Sequence, residues 1–278
     1  RPVRPAASAE GPPSNSIGGA KSNFEGGPSA LAAGLTGRTP RYGYHLERHR
    51  QATLRIQLDW TPRELSDWGA LGAIIGRLSG NYWQVPVVDG FDRFPVSDEI
   101  KHFGAAMASF GSTALFHLVG ITPEAHSLGD VGGDKLPIAH RIGEGEIRDL
   151  KKSYAADKHI DIVVFSAPQL SLYELRDLAG LCHGRHFKRP LMVTTSPQVK
   201  PDSDRFGYTE TIEGAGGTVL TGMCFYQSYA REMSEANGWR RLATNSAKLV
   251  NILGGYGYVP MLASMKDCVD AAESGELK

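Results

Sequence analysis

The sequence lacks several features that mark whole classes of proteins. Its 278 residues include three widely spaced cysteines and no CxxC pair, so neither a disulfide framework nor a zinc knuckle is predicted. It has no run of about 18 consecutive apolar residues, and its start lacks the charged-then-apolar plan of a signal peptide. We therefore expect reduced thiols, no membrane partner and a cytoplasmic location.

An excess of either charge is also missing. Thirty Lys and Arg residues balance thirty Asp and Glu residues, so the chain offers no basic footprint for nucleic acid. Neither a GxGxxG nor a GxxxxGK[ST] loop occurs, which disfavours NAD- or ATP-dependent enzymes. The length and ordinary hydrophobicity allow one large or two modest domains with a packed core.

Residues 1 to about 20 are rich in Pro, Ala, Ser and Gly and have almost no large apolar side chains. This composition argues against a packed element. We predict residues 1–14 to be a disordered or non-native leader.

From residue 52 onward, strand and helix patterns alternate. Strands are predicted at residues 52–58, 84–88, 112–119, 160–165, 191–195 and 218–220, and helices after Pro62, at 100–109, 144–154 and 171–182, and within 201–214. Such alternation is typical of an α/β fold with a mostly parallel sheet and helices on both faces. Ligands in such folds bind at the carboxyl ends of the strands.

Cys224 is the first candidate for chemistry, because Thr221, Gly222 and Met223 place it just past the end of a predicted strand. A thiolate there can face a cleft and bind iron. Buried cysteines are also common as small core residues. We predict that core role for Cys182 and Cys268, which fall on the apolar sides of helices.

The segment TNSAK, at residues 244–248, precedes apolar residues and has two interpretations. Thr244 or Asn245 can cap a helix. A cap uses one side chain, which leaves Ser246 and Lys248 to hold an anionic group at the helix N-terminus.

Two further segments are ambiguous in the same way. Residues 25–40 have two interpretations. The first is a helix that ends at a glycine and is followed by a proline. The second is an anion site in which Ser29 contacts the anion and Arg38 forms a bidentate contact with a carboxylate. Thr122 and Glu124 follow a buried strand and can start a helix or face a cleft. His117, inside that strand, is predicted to be a core histidine.

Several long motifs together resemble one family. They are SNFEGGPSALAAGLTGRTPRYGYHL (residues 22–46), DWGALGAIIG, HFGAAMASFGSTALFHLVGITPEA, SLYEL, GGTVLTGMCFYQ, TNSAK and DCVDAAESG. In this order they resemble the large catalytic domain of the aconitase X family of hydro-lyases, from about residue 15 to the C-terminus. The resemblance implies an aconitase-like α/β fold.

The resemblance also implies the chemistry. An iron-sulfur cluster acts as Lewis acid on a substrate hydroxyl while a base removes a proton from the neighbouring carbon. The resemblance makes Cys224 the candidate ligand of the cluster. The implied catalytic residues are Ser246, Lys248 and Glu124, and the implied residues that bind a small hydroxy-carboxylate substrate are Glu25, Ser29, Arg38, Thr122 and Asn245.

The sequence departs from the family pattern in two places. The family's large domain normally begins upstream of Asn15, so residues 15–278 are expected to be an N-terminally incomplete large domain. Ala167, Pro168 and Gln169 stand where many relatives have Cys-Pro-His, which removes a possible ligand. The family also uses a small swivelling domain or subunit with a serine-type base, and that partner is absent from this sequence.

The resemblance implies one of two substrates. The segment 67–124, with its NYWQVPV insertion, is similar to members that dehydrate cis-3-hydroxy-L-proline to a pyrroline-2-carboxylate. The alternatives are the large subunit of a 5-phosphomevalonate dehydratase, which should need a denser basic pocket, or a truncated, non-catalytic remnant.

Overall fold

The computed structural model describes residues 11–24, 26–155 and 158–278. The chain divides into two compact units. The first contains the described residues up to Pro62 together with Leu71–Ile147, and the second contains Arg63–Ala70 and Arg148–Lys278. Each unit has its own sheet.

The sheet of the first unit has four strands in the order β3-β2-β1-β4, and all neighbours are parallel. The strands are β1 (Leu54–Leu58), β2 (Pro86–Asp89), β3 (His117–Leu118) and β4 (Ile138–Ile142). The helices up to residue 153 are α1 (Gly11–Ser16), α2 (Gly27–Thr36), α3 (Leu65–Ser79), α4 (Ser97–Gly111) and α5 (Glu144–Ser153).

The sheet of the second unit has five parallel strands in the order β7-β6-β5-β8-β9. They are β5 (Ile162–Leu170), β6 (Leu191–Thr195), β7 (Gly217–Thr221), β8 (Arg241–Thr244) and β9 (Val259–Leu262). The helices are α6 (Leu172–Cys182), α7 (Lys200–Arg205), α8 (Tyr208–Gly214), α9 (Ala230–Asn237), α10 (Ala247–Leu253) and α11 (Met265–Ser274). The predicted alternation and the α/β fold are confirmed.

The central strand β5 shows why the second sheet is covered on both faces. Val163 and Phe165 pack in one apolar cluster, which includes side chains of α6 and α11. Ile162 and Val164 pack in another, which includes side chains of α10. Successive side chains of a strand point to opposite faces, so a continuous apolar run needs partners on both.

Cys182 and Cys268 belong to the first of these clusters and are fully buried. Burial raises the pKa of the Cys182 thiol to about 12 and also raises that of the Cys268 thiol. The predicted core role of both cysteines is confirmed.

The prediction that no packed element precedes about residue 20 is wrong for residues 11–16. Residues 11–16 form α1, and Asn15 and Ser16 are buried. Asn15 Nδ2 donates hydrogen bonds to the carbonyl oxygens of Ser22 and Ala114, both at 3.0 Å. These polar contacts replace the apolar side chains that the segment lacks. Residues 1–10 of the predicted leader lie outside the described residues.

The strand predicted at residues 112–119 is wrong in extent, because only His117–Leu118 pairs with a neighbouring strand. Residues 113–116 are buried, as their largely apolar pattern indicated. Their backbone, however, bonds to α1: the carbonyl oxygen of Ala114 accepts from Asn15, and the Phe116 amide donates to Ser16 Oγ at 2.9 Å.

Three strands were not predicted. Four of the five residues of β4 are exposed, so it has no apolar pattern to detect. Strands β8 and β9 have four residues each and follow short loops. Strand β8 pairs with β5, and β9 pairs with β8, which identifies both as strands.

Candidate functional site

The carboxyl edge of the second sheet holds the predicted residues of that unit. Strand β7 ends at Thr221, three residues before Cys224, and β8 ends at Thr244, immediately before Asn245 and Ser246. Carboxyl ends of parallel strands meet at one edge of a sheet, where ligands bind in open α/β folds.

Cys224 is half-buried and directly precedes a short 3-10 helix, Phe225–Gln227. Burial raises the pKa of its thiol, and the positive charge of Lys248 opposes that shift. Burial lowers the pKa of Lys248, and Cys224 opposes that shift in turn. The thiol and the amine are therefore close enough to influence each other's protonation.

Ser246, and not Thr244 or Asn245, caps α10. Its Oγ accepts a hydrogen bond from the Leu249 amide at 3.1 Å and donates one to the Ala167 carbonyl oxygen at 2.7 Å. The expectation that a cap leaves Ser246 free is therefore wrong. Thr244 Oγ1 instead accepts from the Ser246 amide at 3.2 Å, which fixes the turn before the helix.

Asn245 has a different environment. Its side chain is 1% exposed, and its Nδ2 has no hydrogen-bond partner among the described residues. A buried amide donor without a partner carries a desolvation cost, and such groups occur where a ligand or water completes the bonding.

The end of β5 connects these elements. The register against β6 shifts between Phe165 and Leu170. Within that bulge, Ser166 Oγ accepts from the Phe225 amide at 3.0 Å, and Gln169 Nε2 donates to the Met223 carbonyl oxygen at 3.0 Å. Gln169 thus contacts the Cys224 loop.

Helix α2 in the first unit carries one predicted site residue and precedes another. Ser29 and Arg38 are exposed, and α2 has no buried residue. Gly37 ends the helix at φ 64°, where glycine is favoured, and its amide donates to the Ala33 carbonyl oxygen. The predicted helix with its glycine stop is confirmed. Glu25 lies outside the described residues.

Thr122 and Glu124 make contacts within the first unit that hold its fold. Thr122 Oγ1 accepts from the Leu118 amide at 3.0 Å and donates to the Leu118 carbonyl oxygen at 3.2 Å. The Glu124 carboxylate accepts hydrogen bonds from the Arg50 guanidinium, at 2.8 Å from Nε to Oε2.

Arg50 was missed by the sequence analysis. It is 1% exposed, and its Nη1 donates to Asn15 Oδ1 at 2.8 Å and to the Tyr44 carbonyl oxygen at 3.0 Å. His117 donates from Nε2 to the Arg50 carbonyl oxygen at 2.7 Å and is buried, as predicted. No local pattern marks Arg50, because its side-chain partners Asn15 and Glu124 are distant in sequence.

An iron-sulfur cluster needs several protein ligands, usually thiolates. Among the described residues, no group of three or more His, Cys, Asp or Glu side chains is arranged to hold a metal ion. Cys182 and Cys268 are core residues, so the chain offers one accessible thiol, Cys224. The described residues do not by themselves fit a cluster.

Comparison with known proteins decides the family. The model of the aconitase X second domain matches residues 52–154, and that of the third domain matches residues 160–274. The chain belongs to the aconitase X family. The predicted family membership is confirmed.

One solved structure and several curated proteins are similar to most of the chain. The crystal structure of holo aconitase X from Thermococcus kodakaraensis matches with a TM-score of 0.85 and 32% identity, over 96% of this chain and 67% of that one. The phosphomevalonate dehydratase large subunit of Methanothermobacter thermautotrophicus is 38% identical over 87% of this chain and 58% of its own length. The cis-3-hydroxy-L-proline dehydratase of Pseudomonas aeruginosa is 34% identical over 94% and 46%.

The chain thus spans about half to three fifths of the length of these two curated relatives. In the part of the chain that the structure describes, no helix is long and apolar enough to cross a lipid bilayer.

Proposed function

We propose that this chain carries part of the active site of a hydro-lyase that dehydrates cis-3-hydroxy-L-proline to a pyrroline-2-carboxylate. The observation that carries the proposal is the half-buried Lys248 amine beside Cys224 at the carboxyl edge of the second sheet, with its pKa lowered by burial. Dehydration removes a proton from the carbon beside the carboxylate. A lysine with a lowered pKa is suited to accept that proton.

Asn245 is the proposed ligand of the substrate carboxylate. Its Nδ2 is buried and lacks a partner among the described residues. A donor held at that position can stabilise the negative charge that develops when the neighbouring carbon loses its proton. Ser246 is proposed to act by holding this segment in place, since both of its hydrogen bonds are within the protein.

The charges favour a substrate without phosphate. A phosphate dianion requires several permanently charged partners, usually arginines. Burial lowers the pKa of Lys248, which weakens it as a permanent cation, and Arg50, which is buried, binds Glu124. A second candidate substrate is 5-phosphomevalonate, because the relative that is 38% identical is named for it.

The roles that the resemblance implies for other residues remain part of the proposal. Ser29 and Arg38 are proposed to bind substrate, and Glu124 is proposed to contribute to catalysis, whereas the buried Thr122 hydroxyl is engaged by Leu118 and is proposed to support the fold. Cys224 is proposed as one iron-sulfur ligand, with further donors from outside the described residues. A small swivelling subunit or domain is the proposed partner, which the relative's name "large subunit" supports.

A dehydration assay tests the proposal. The chain is combined with the small swivelling domain of an aconitase X protein, prepared anaerobically, and given each candidate substrate in turn. We expect turnover of cis-3-hydroxy-L-proline and a loss of about 100-fold or more in kcat/KM for Lys248→Met, since general bases contribute at least that factor. Lys266→Met, at an exposed lysine, is the control and should keep full activity.

Other results would change the assignment. Turnover of 5-phosphomevalonate alone would select the second candidate. A metal-free protein in which Cys224→Ser behaves like wild type would favour a non-catalytic remnant.

A further inference from the structure

The loop that carries Cys224 is held by hydrogen bonds on both sides of that residue. On the side before it, Gln169 Nε2 donates to the Met223 carbonyl oxygen at 3.0 Å. On the side after it, the Phe225 amide donates to Ser166 Oγ at 3.0 Å. Both partners lie in the bulged end of β5, so one short segment fixes two successive peptide groups.

The carbonyl oxygen of Cys224 itself is also bonded. It accepts from the Gln227 amide at 3.0 Å and from Ser228 Oγ at 2.8 Å. The backbone is thereby fixed before, at and after Cys224, and with it the direction of the Cα–Cβ bond from which the thiol extends.

Ser166 is built for this role. It is 1% exposed, and its Oγ also accepts a hydrogen bond from Thr194 Oγ1 at 2.8 Å. Thr194, on the neighbouring strand β6, is completely buried. The Ser166 oxygen thus accepts two hydrogen bonds at a buried position, one from the neighbouring strand and one from the Cys224 loop.

The bulge gives Ser166 this position. Phe165 pairs with Val193 and Leu170 with Thr195, so four residues of β5 face one residue of β6. Bulges redirect side chains and are frequent beside active sites. The same bulge accepts the Ser246 hydrogen bond at Ala167, which links it to the start of α10, where Lys248 lies.

We propose that Ser166 is a positioning residue that holds the Cys224 thiol beside Lys248, with Gln169 as its counterpart on the other side of the loop. Ser166 does not itself contact substrate in this scheme. The proposal deepens the proposed function, which assigns roles to Cys224 and Lys248, but it is testable without turnover.

The first test is the alkylation rate of Cys224 by iodoacetamide in the full chain. Cys182 and Cys268 are fully buried and serve as unreactive internal references. We expect Ser166→Ala to raise the rate about fivefold, the factor that corresponds to one net hydrogen bond. Ser166→Thr keeps the hydroxyl and should restore the wild-type rate.

Thr195→Val is the matched control. Thr195 is completely buried at the end of the neighbouring strand, and its Oγ1 donates to the Leu170 carbonyl oxygen at 2.7 Å, outside the Cys224 loop. It should lower the melting temperature without changing the Cys224 rate. An equal rise in the Cys224 alkylation rate of Thr195→Val would mean that any destabilising change exposes the thiol, and it would overturn the proposal.

Amide hydrogen exchange at Phe225 is the second readout. Ser166→Ala should speed exchange there about fivefold, whereas amides of β6 and β7 should keep their rates. If Ser166→Ala does not fold, Gln169→Leu, at a half-buried site, replaces it in the alkylation test. Unchanged alkylation and exchange in a folded Ser166→Ala protein would refute the proposal, whether or not the chain shows dehydratase activity.

Discussion

Ser246 donates a hydrogen bond to the carbonyl oxygen of Ala167 at 2.7 Å while it caps α10. The bond joins the start of α10 to the bulged end of β5. The segment expected to bind an anion is thus also part of the framework that connects two strands of the sheet.

Removing the Ser246 hydroxyl should therefore cost more than a helix cap alone. We expect Ser246→Ala to lower the free energy of unfolding by about 2–3 kcal/mol, because it removes a cap and leaves the buried Ala167 carbonyl oxygen unpaired. Urea unfolding measures this loss. Ser264→Ala is the control, since Ser264 caps α11 by accepting from the Asp267 amide at 3.0 Å, and about 1 kcal/mol is expected there. Equal losses would contradict the framework role.

Lys248 should destabilise the folded protein increasingly as the pH falls. Burial lowers its pKa in the folded state, whereas the unfolded value is about 10.4. Protonation of the Lys248 amine is therefore less favourable in the folded state than in the unfolded state. The stability that is present above the unfolded pKa is lost as the pH falls through the folded pKa. We expect the melting temperature of Lys248→Met to exceed that of wild type at pH 6, with the difference shrinking toward pH 10.

Lys266 provides a control of opposite sign. Its Nζ lies 2.6 Å from Asp270 Oδ2 on α11, and this contact raises the pKa of Lys266. Lys266→Met should therefore leave the melting temperature at pH 6 unchanged or slightly lower. A Lys248→Met protein that is less stable than wild type at pH 6 would show that the amine is stabilised by partners.

Arg50 should be among the most costly residues to replace in the first unit. It is 1% exposed and bonds to the side chains of Glu124 and Asn15 and to three backbone carbonyl oxygens. We expect Arg50→Met to cost about 3–5 kcal/mol, the range for breaking a buried ion pair. Arg141→Met breaks an ion pair with Asp59 whose partners are both more than half exposed, and less than about 1 kcal/mol is expected. Chemical denaturation compares the two.

The contact between helices α3 and α4 should leave no room for a side chain at Gly72. A Cβ there would overlap the Phe103 carbonyl oxygen, a backbone atom that cannot move aside by changing a rotamer. We expect Gly72→Ala to destabilise the protein by about 1–3 kcal/mol through overpacking. Gly180→Ala, at an exposed helical site with open space around its Cβ position, should instead stabilise it by up to about 1 kcal/mol. Thermal unfolding of the two variants distinguishes close packing from helix propensity.

The family and the α/β architecture followed from the sequence. Apolar runs such as the one at residues 160–165 are local patterns, and a strand buried on both faces must be apolar along its whole length. The position of Cys224 past a strand end was predictable for the same reason. The short strand β8 and the exposed strand β4 were missed because neither has such a pattern.

Only the tertiary structure decided which polar side chains support the fold and which lack a partner. Ser246 and Ala167 are 79 positions apart, and Arg50 and Glu124 are 74 apart. The sequence around a serine or an arginine is the same whether its side chain contacts such a distant partner or solvent. The sequence by itself therefore determined the family, the parallel strands and the candidate residues. The bulge of β5, the cap at Ser246 and the unpartnered Asn245 amide depend on how distant segments pack, since packing selects the partner of each buried polar group.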